Sequence, residues 1–443
     1  MKTDRTKKER KNIDLPLKPS DILLPGKSVD LTRWAVVACD QFTQDEAYWK
    51  RVSELTKGVP SASHIMLPEI YLSRGKASVS RRIAAINKTM RSYIDGGIFD
   101  EYKNSLILTK RTFASGLTLT GLIGAIDLEQ YDYCKGSGSA VRATEATVLE
   151  RIPPRVAIRE GASLEMPHIL ILIDDPDDTV IGPLEAKADS KTPVYDFNLM
   201  EGGGHVEGFA LTKKAEYAPA IDALRRLGDE SVFRQRYGVP EGTPVLWLAV
   251  GDGNHSLASA KALYEKTHDP LARYALAEVV NIHSPGIVFE PIHRLLLGVN
   301  EDNLVSAARD YFGSSLIISN AGAGGLSGVV NDGDHHAIGF VSKGRQCCWQ
   351  ISRSRHLLAV GALQEFIDAY IGSHPETAVD YIHGESETKA LARKPGTAAF
   401  LLPGMPKSDL FPTVIRYGAL PRKTFSMGHA EEKRYYLECR RLK

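Results

Sequence analysis

Cysteine is scarce in this sequence, and that limits the kinds of protein it can encode. Five cysteines occur among 443 residues, Cys347 and Cys348 are adjacent, and no C-x-x-C pair is present. Adjacent cysteines rarely bridge to each other, and a zinc ribbon needs cysteine pairs at fixed spacing. We therefore expect neither a disulfide framework nor a zinc ribbon, and the composition favours a reducing, cytoplasmic compartment.

An excess of charge of one sign and a long apolar run are also missing. Lysine and arginine number 55 against 54 acidic residues, which leaves a net charge of +1. A general nucleic-acid binder carries a basic excess, so that class is not expected. No apolar run is long enough to cross a membrane, and no apolar segment follows the basic N-terminus as in a signal peptide. We therefore expect no membrane association.

The remaining composition is that of a large globular protein. Hydrophobic residues make up 43% and charged residues 25% of the sequence. A chain of this length suffices for two or three domains. Short apolar runs alternate with amphipathic stretches, which predicts an α/β fold with a mixed sheet (α+β). The predicted divisions are a basic disordered tail (1–19), a main α/β domain (20–300), an accessory αβ region (301–374) and a C-terminal segment that packs back on the main domain (375–443).

The stretch from residue 245 to residue 265 predicts a strand, a tight turn and a helix. Residues 245–250 are apolar and rich in strand formers, and alanine and leucine become frequent after residue 255. A helix N-terminus presents backbone N–H groups with a partial positive charge, which suits a phosphate or a carboxylate. The candidate ligands on this turn are Gly251, Asp252, Gly253, Asn254, His255 and Ser256.

Two familiar phosphate-binding motifs do not fit this turn. The third glycine of the dinucleotide fingerprint is absent, and no G-x-x-x-x-G-K-[ST] occurs in the sequence. A strand-to-helix turn that is merely capped by asparagine and histidine therefore stays open as the alternative.

Two further acidic candidates precede this turn. A helix is predicted over residues 140–151, where Arg142 and Glu145 are three apart and share one face. They form either a surface ion pair or an anion-binding arginine beside a carboxylate that acts as a base. Asp40 ends a predicted strand (34–40) before a helix, a position that often carries function in α/β proteins, although it could simply cap the loop.

Several histidines occupy predicted ends of elements. His205 follows three glycines, which allow the backbone to approach a ligand or simply form a mobile loop. Four further candidates fall within twelve residues, and Pro291 among them suits the first position of a helix; these candidates are His283, Glu290, His293 and Arg294. Their spacing does not match an H-E-x-x-H zinc helix, so no metal ligation is predicted.

The segment LPRKTFSMG (420–428) combines two cations and two hydroxyls, which is a natural set for holding phosphate. If it is extended, Arg422, Thr424 and Ser426 point the same way; if it is helical, Lys423 and Ser426 share a face. The alternative is an ordinary basic loop.

The box DGNHSLASAK resembles the DG-x-H-R box of the ParB/sulfiredoxin-like superfamily, whose members bind phosphates at this turn. Ser256 stands where arginine is usual. Together with the flanking stretches, the chain is identified as a member of an uncharacterised bacterial domain-of-unknown-function family of that superfamily, related to small-molecule kinases such as free-serine kinase. The flanking stretches are WAVVACDQFTQDEAYW (34–49), RATEATVLERIPPR (142–155), YDFNLMEGGGH (195–205), NIHSPGIVFEPIHR (281–294), DYIHGE (380–385) and LPRKTFSMG (420–428).

This resemblance implies a ParB/sulfiredoxin-like core with accessory elements and a nucleotide-dependent phosphotransferase acting on a small metabolite, with an amino-acid (serine-type) kinase as the leading case. Mg²⁺ and ATP or ADP would be the cofactors, and a homodimer is left open. The resemblance assigns phosphate binding to residues 251–256 and 423–426, charge balance to Arg142 or Arg294, and activation of the acceptor to Glu145 or Asp252. We expect the side chains of one cleft to be Asp252, His255, Glu145, His283 and Arg294.

Two alternatives belong to other classes. A phosphatase or metal-assisted hydrolase would use the histidines, which are His205, His255, His283 and His293. The second alternative is a non-catalytic nucleotide-binding or DNA-partition-like protein, which is the other kind of function in this superfamily.

Overall fold

The computed structural model describes residues 14–145, 147–320 and 335–443. Most of the predicted basic tail lies outside these residues. The described part contains helices together with parallel and antiparallel strands, so the predicted mixed α/β fold is confirmed.

The strands in the described residues are between two and fourteen residues long. They are β1 Leu17–Lys18, β2 Ser20–Pro25, β3 Val36–Val37, β4 Phe99–Thr112, β5 Thr118–Asp127, β6 Tyr131–Asp132, β7 Val141–Ala143, β8 Leu164–Glu165, β9 Leu170–Ile173, β10 Tyr195–Asn198, β11 His205–Leu211, β12 Leu248–Asp252, β13 Tyr274–Asn281, β14 Phe289–Leu297, β15 Leu316–Asn320, β16 His335–Ser342, β17 Gln346–Ser352, β18 Ala378–His383, β19 Thr397–Leu401, β20 Phe425–Met427, β21 Tyr435–Tyr436 and β22 Arg440–Arg441.

The α-helices in the described residues connect these strands and cover the sheets. They are α1 Leu31–Trp34, α2 Glu46–Leu55, α3 Lys76–Asp95, α4 Ile152–Glu160, α5 Gly182–Ala188, α6 Lys214–Leu227, α7 Glu230–Tyr237, α8 Asn254–Thr267, α9 Glu301–Phe312, α10 Ala359–Ser373, α11 Glu385–Ala392 and α12 Leu410–Tyr417.

The first sheet has eleven strands in the order β10-β11-β4-β5-β13-β9-β12-β7-β6, with β1 on β5 and β2 on β4. Its strands β4 and β5 follow each other in the sequence and pair antiparallel as a hairpin. Successive side chains of a strand point to opposite faces. Accordingly Ile107 packs in one apolar core, whereas Leu106 and Leu108 pack in another on the opposite face. Both faces are therefore covered, which explains the nearly continuous apolar runs in the sequence.

The second sheet has seven strands in the order β15-β17-β16-β19-β14-β18, with β20 on β14. Its strands come from before residue 300, from residues 301–374 and from after residue 374. One sheet therefore contains strands from three of the predicted divisions of the chain. The apolar helix α10 contributes seven side chains to the core beneath it. The C-terminal strands β21 and β22 return to β3 and β8 in the first half of the chain.

The helix predicted over residues 140–151 is wrong. Residues 141–143 instead form β7, which pairs parallel with β12. Pro153 and Pro154 begin the next helix, α4, since proline is tolerated in a first turn. Pairing with a strand about a hundred residues away thus outweighs local helix propensity, and Arg142 and Glu145 do not share a helical face.

The helix predicted to start at Pro291 is also wrong. Pro291 lies inside β14 and faces Phe425 of β20. Proline cannot donate to a strand ladder, so it is confined to places where no partner needs its N–H. The predicted strand over residues 34–40 is mostly absent as well, because α1 extends to Trp34 and β3 contains two residues.

Candidate functional site

The predicted strand, turn and helix of the central stretch are present as β12, Gly253 and α8. Gly253 has a φ of 77°, and a Cβ on it would approach Ile169 Cα to 3.0 Å. Glycine therefore satisfies both the left-handed conformation and the close packing that the turn requires. The turn directs the N-terminus of α8 into a cleft of about 550 Å³.

Predicted residues from four distant segments meet in this cleft. Those that line it are Asp40, Glu145, Gly251, Asp252, Gly253, Asn254, His255, Ser256, Lys423 and Ser426. The cleft is also lined by charged and polar residues that were not predicted from the sequence, namely Gln41, Thr43, Glu69, Arg151, Arg155, His383 and Lys433.

Asp252 ends β12 and pairs with a lysine from the C-terminal segment. Lys433 Nζ lies 3.0 Å from Asp252 Oδ2, and the Gly253 N–H donates to Asp252 Oδ1 at 2.9 Å. Burial opposes ionisation of Asp252, but the charge and hydrogen bond of Lys433 outweigh burial and hold the pKa of this carboxyl below its usual value. Asp252 is therefore a stable anion.

Glu145 has the opposite electrostatic character. Burial raises the pKa of its carboxyl above the usual value. Lys423 acts against this rise through its backbone N–H and its charge, and Thr424 does so through its backbone N–H. The nearby charge of Asp252 adds to the rise. A carboxylate with a raised pKa that lines a cleft has the properties of a general base.

His255 is a neutral imidazole at neutral pH. Burial lowers its pKa to about 4, and the charges of Arg155 and Arg151 act in the same direction. Its Nε2 lies 3.1 Å from the backbone N of Val148, which donates to it. Because Nε2 accepts this hydrogen bond, the ring carries its proton on Nδ1 and can donate from there.

Asn254 opens α8 and has an unmet hydrogen-bond requirement. Its Oδ1 is buried and accepts no hydrogen bond from the described residues. A buried acceptor without a donor is costly, so native structures almost always provide one. The atom lies on a residue that lines the cleft, where a ligand with an N–H or O–H group would satisfy it.

Four cationic side chains surround the N-terminus of α8. They are Arg151, Arg155, Lys423 and Lys433. Arg155 pairs with Glu69, and Lys433 pairs with Asp252. Within the described residues, neither Arg151 nor Lys423 has a carboxylate oxygen at ion-pair distance, so their charges are available to a ligand.

Only part of the predicted phosphate-holding segment (420–428) lines the cleft. Lys423 adopts a φ of 57°, and Thr424 Oγ1 donates to the Pro421 carbonyl at 2.6 Å, which makes a turn. This geometry turns Lys423 and Ser426 into the cleft, whereas Arg422 and Thr424 line other cavities. Thr424 is 5% exposed, so its hydroxyl serves the turn and not a ligand.

Arg294 lies behind this turn and does not line the cleft. It is fully buried, and its guanidinium donates to the carbonyl oxygens of Ile292, Arg422 and Lys423. Its role is to hold the segment in place. The expectation that Arg294 lines the cleft together with Asp252 is therefore wrong.

Five other predicted residues lie elsewhere. Buried Arg142 donates to the carbonyls of Ser139 and Pro244 at 2.7 Å each, because β7 directs it away from the cleft. His283 Nε2 contacts Asp174 at 2.6 Å, so it does not line the cleft as expected. Buried His293 accepts the Leu402 N–H at 3.1 Å.

His205 and Glu290 complete this group. His205 lies between Asn198 at 2.9 Å and Asp196 at 3.0 Å on the β10–β11 hairpin. Glu290 faces Ser426 across β14 and β20, with His429 at 3.7 Å. The four histidines of the hydrolase alternative therefore do not converge on one metal site. The described residues contain one group with metal-ligand spacing, Asp196, His205 and Glu207.

The residues that the sequence analysis missed are joined to the box by long-range contacts. Ser256 Oγ lies 2.8 Å from His168 Nε2, across 88 residues, and Lys433 is 181 residues from Asp252. Arg151 and Arg155 fall within the conspicuous stretch RATEATVLERIPPR, which was a usable signal. His168 and Lys433 carry no local motif.

No helix among the described residues is both long enough and apolar enough to cross a membrane.

The fold and the site together define a mixed α/β protein with a cationic cleft at a helix N-terminus. The chain belongs to the family described as "Protein of unknown function (DUF1015)", whose model matches residues 23–370. No curated protein matches the chain. The wider relationship to the ParB/sulfiredoxin-like superfamily stays a prediction.

Several solved structures resemble the chain weakly. A conserved hypothetical protein from Pyrococcus furiosus has 10% identity and a TM-score of 0.37, over 72% of this chain and 95% of that one. Free serine kinase in complex with AMP has 9% identity and a TM-score of 0.38, over 71% and 90%. SbnI with C-terminal truncation from Staphylococcus aureus has 11% identity and a TM-score of 0.33, over 69% and 83%. Scores this low establish neither a shared function nor a shared ligand.

Proposed function

We propose that this protein is a phosphotransferase that acts on a small molecule and uses a nucleotide, ATP or ADP, as phosphoryl donor. The observation that carries the proposal is the convergence of Arg151, Arg155, Lys423 and Lys433 on the N-terminus of α8. Phosphoryl transfer depends mainly on positioning and on neutralising the charge of phosphate oxygens. A helix N-terminus with several cations supplies both.

Phosphate is held by the two cations that have no ion-pair partner among the described residues. Lys423 and Arg151 both line the cleft at the helix N-terminus, and Ser426 lines it as well. Charge-assisted hydrogen bonds from such groups are about twice as strong as neutral ones. His255 contributes a neutral Nδ1–H donor, and the buried Asn254 Oδ1 accepts from a ligand hydroxyl or amino group.

Glu145 activates the acceptor hydroxyl by taking its proton. Its raised pKa favours proton uptake, and it lines the cleft near the positive charge of Lys423. Asp252 is less suited to this role, because its pKa is lowered and Lys433 neutralises it. Asp252 instead positions Lys433 beside the helix N-terminus.

The cleft fits Mg²⁺ bound through a phosphate. Mg²⁺ usually takes one or two carboxylates together with substrate phosphates and water. Asp40 lines the cleft, and within the described residues it has no cation at ion-pair distance. Its Oδ1 accepts a hydrogen bond from Gln41 Nε2 at 2.9 Å, which leaves Oδ2 for a metal. Bound there, Mg²⁺ would neutralise charge on the phosphate oxygens.

Ligand binding is the first test. The melting midpoint of the parent protein is measured with ATP, ADP, AMP and inorganic phosphate at millimolar concentration, with and without Mg²⁺. A ligand that binds only the folded state raises apparent stability, by about 2.7 kcal/mol at a hundred times its Kd. We expect the nucleotides with Mg²⁺ to raise the midpoint, and a protein that responds to none of these ligands would contradict the proposal.

Product analysis is the second test. The protein is incubated with ATP or ADP, Mg²⁺ and candidate acceptors, with serine first because the box resembles that of small-molecule kinases, and phosphorus NMR follows the products. A phosphorylated acceptor is the expected product. Release of inorganic phosphate at the same rate with and without an acceptor would instead identify the phosphatase alternative.

A further inference from the structure

A buried hydrogen-bond chain leads away from the cleft behind Ser256. Ser256 Oγ lies 2.8 Å from His168 Nε2, and His168 Nδ1 lies 2.7 Å from the hydroxyl of Tyr436. The rings of His168 and Tyr436 meet edge to face, with centroids 5.4 Å apart. A hydroxyl, an imidazole and a group that orients the imidazole are the three parts of an activated serine nucleophile.

The His168 ring has two possible tautomers in this chain, and one of them prepares Ser256 for attack. The oxygen of Tyr436 lies 2.7 Å from His168 Nδ1 and accepts the Cys39 N–H at 3.4 Å. In the tautomer with the proton on Nδ1, His168 donates to the Tyr436 oxygen. His168 Nε2 is then unprotonated and accepts the proton of Ser256 Oγ.

Ser256 lies between the cationic cleft and a second, largely apolar cavity. Ser256 is in the first turn of α8 and lines the cationic cleft. On its other side Ser256, His168 and Tyr436 border a largely apolar cavity of about 140 Å³. The imidazole is 9% exposed and therefore lies mostly out of water, where a hydrogen-bonded pair is electrostatically stronger than in solvent.

We infer that Ser256 is a nucleophile toward phosphorus, with His168 as its general base and Tyr436 as the residue that positions His168. The class of substrate is a phosphoric ester or anhydride whose phosphoryl group enters the cationic cleft. This inference rests on the phosphate-binding role proposed for the cleft, and it adds a covalent phosphoserine to that function.

The chemistry of this step balances. Ser256 Oγ forms a bond to phosphorus, its proton moves to His168 Nε2, and the leaving group departs with the electron pair of its bond to phosphorus. In the second step an acceptor hydroxyl, deprotonated by Glu145, attacks the phosphoserine. The bond between phosphorus and Ser256 Oγ then breaks, and Oγ recovers its proton from His168.

The test uses a fluorophosphonate probe, which reports an activated serine without requiring a nucleotide. The serine oxygen displaces fluoride from phosphorus, and mass spectrometry of the digested protein locates the adduct. We expect modification at Ser256, slower modification in the presence of inorganic phosphate, and none at this position in Ser256→Ala. General-base assistance contributes about 10²–10⁴-fold, so His168→Gln should slow labelling by at least about a hundredfold.

Two variants separate chemistry from structure. Ser259→Ala removes a hydroxyl one turn along the same helix, where Ser259 Oγ donates to the His255 carbonyl at 2.7 Å, and it should label like the parent. Tyr436→Phe keeps the ring but frees the imidazole to turn. We expect this variant to lower the maximal labelling rate without changing the probe concentration that gives half of it, and it serves as the decisive variant if His168→Gln does not fold.

The outcomes are distinct. A parent protein that is not modified at Ser256, or labelling that persists unchanged in folded His168→Gln, overturns the inference. Labelling that phosphate does not slow overturns the assigned class of substrate. Transfer from a nucleotide at the parental rate in Ser256→Ala overturns the phosphoserine but leaves the phosphotransferase intact. Phosphate-sensitive labelling in a protein that binds no nucleotide supports the nucleophile and instead contradicts the nucleotide donor.

Discussion

Arg294 holds the main chain of Lys423 from behind. Its Nη1 donates to the Lys423 carbonyl oxygen at 2.9 Å, while the same group donates to the Ile292 carbonyl at 2.6 Å. The backbone N–H of Lys423 also acts on the carboxylate of Glu145 and opposes the rise in its pKa. Lys423 can therefore keep the uncommon φ of 57°, because buried Arg294 fixes the peptide group that follows it.

The first prediction concerns this support. Arg294→Met leaves buried carbonyls without donors, so we expect the free energy of unfolding to fall by about 3 kcal/mol or more. The affinity for inorganic phosphate should fall as well, because Lys423 loses its fixed position. Denaturant titration and calorimetry measure the two effects.

Arg142→Met is the matched control for that prediction. Arg142 is also buried and also donates to two carbonyls, but it does not line the cleft or hold Lys423. It should lower stability while the folded protein keeps the parental affinity for phosphate. Equal losses of affinity in the two variants would contradict the specific role of Arg294.

The parts of the site that the sequence predicted are those that local chemistry determines. Residues 245–265 combine a run of strand formers, two glycines and a helix-forming run, so the turn follows from neighbours in the sequence. Glycine at position 253 is required by its own φ of 77°. Lys423 and Ser426 were predicted to share a face only if the segment was helical. The segment is instead a turn followed by β20, and both residues line the cleft.

The parts that failed depend on distant residues. Arg142 was assigned to a helix because its neighbours favour one, but pairing with Ala249 of β12 makes it part of a strand. His168, Lys433 and Tyr436 reach the box only because strands from three regions of the chain are brought together. A spacing rule that covers a short stretch of sequence cannot detect contacts between residues this far apart. The burial of Arg294 likewise depends on the packing of the second sheet.

The second prediction separates ligand contact from support within the C-terminal segment. Lys423→Ala should reduce phosphate affinity about tenfold or more, with stability nearly unchanged, because the side chain lies at the surface of the cleft. Thr424→Ala removes the hydrogen bond to the Pro421 carbonyl and should cost about 1 kcal/mol of stability. Calorimetry with inorganic phosphate and thermal unfolding distinguish the two effects.

Lys443→Ala is the control for charge. Lys443 is exposed, and its ammonium contacts the Glu160 carbonyl at 2.9 Å at the end of the chain. Removing it changes the net charge as Lys423→Ala does, but binding should be unaffected. Parental affinity in Lys423→Ala would show that the segment is an ordinary basic loop.

The third prediction concerns the pH dependence of stability at Asp252. Its pKa is lowered in the folded protein, so its ion pair contributes stability above the unfolded-state pKa of about 3.9, and that contribution is lost as the pH falls through the folded-state pKa. Asp252→Asn should therefore lower stability by roughly 1 kcal/mol near pH 7, a modest figure because the carboxylate is 30% exposed. The difference from the parent should disappear in acid.

A surface pair provides the comparison for Asp252. Asp222 and Arg225 lie 2.6 Å apart, with both side chains at least half exposed. Such a pair contributes about 0.5 kcal/mol or less, so Asp222→Asn should change little at any pH. Denaturant titrations at several pH values give the free energies, and equal effects of the two substitutions would argue against a special role for the Asp252–Lys433 pair. Asp252→Asn should also weaken stabilisation by a nucleotide, because Lys433 loses its partner beside the helix.

The final prediction concerns Glu145 as the base. Glu145→Gln keeps an acceptor oxygen for the N–H groups of Lys423 and Thr424, so the turn and phosphate binding should survive. Transfer to the acceptor should fall by about 10²–10⁴-fold, because an amide cannot take the proton. Glu150→Gln, at an exposed position five residues away, should leave the rate unchanged.

The pH dependence of the parent protein tests the same role of Glu145. Burial raises the pKa of Glu145, and a base acts only when it is ionised, so kcat should fall as the pH drops through that raised pKa. The decline should be centred above the value of about 4.3 that is normal for glutamate. An acid limb at the ordinary glutamate position, or parental turnover in Glu145→Gln, would assign the proton transfer to another group.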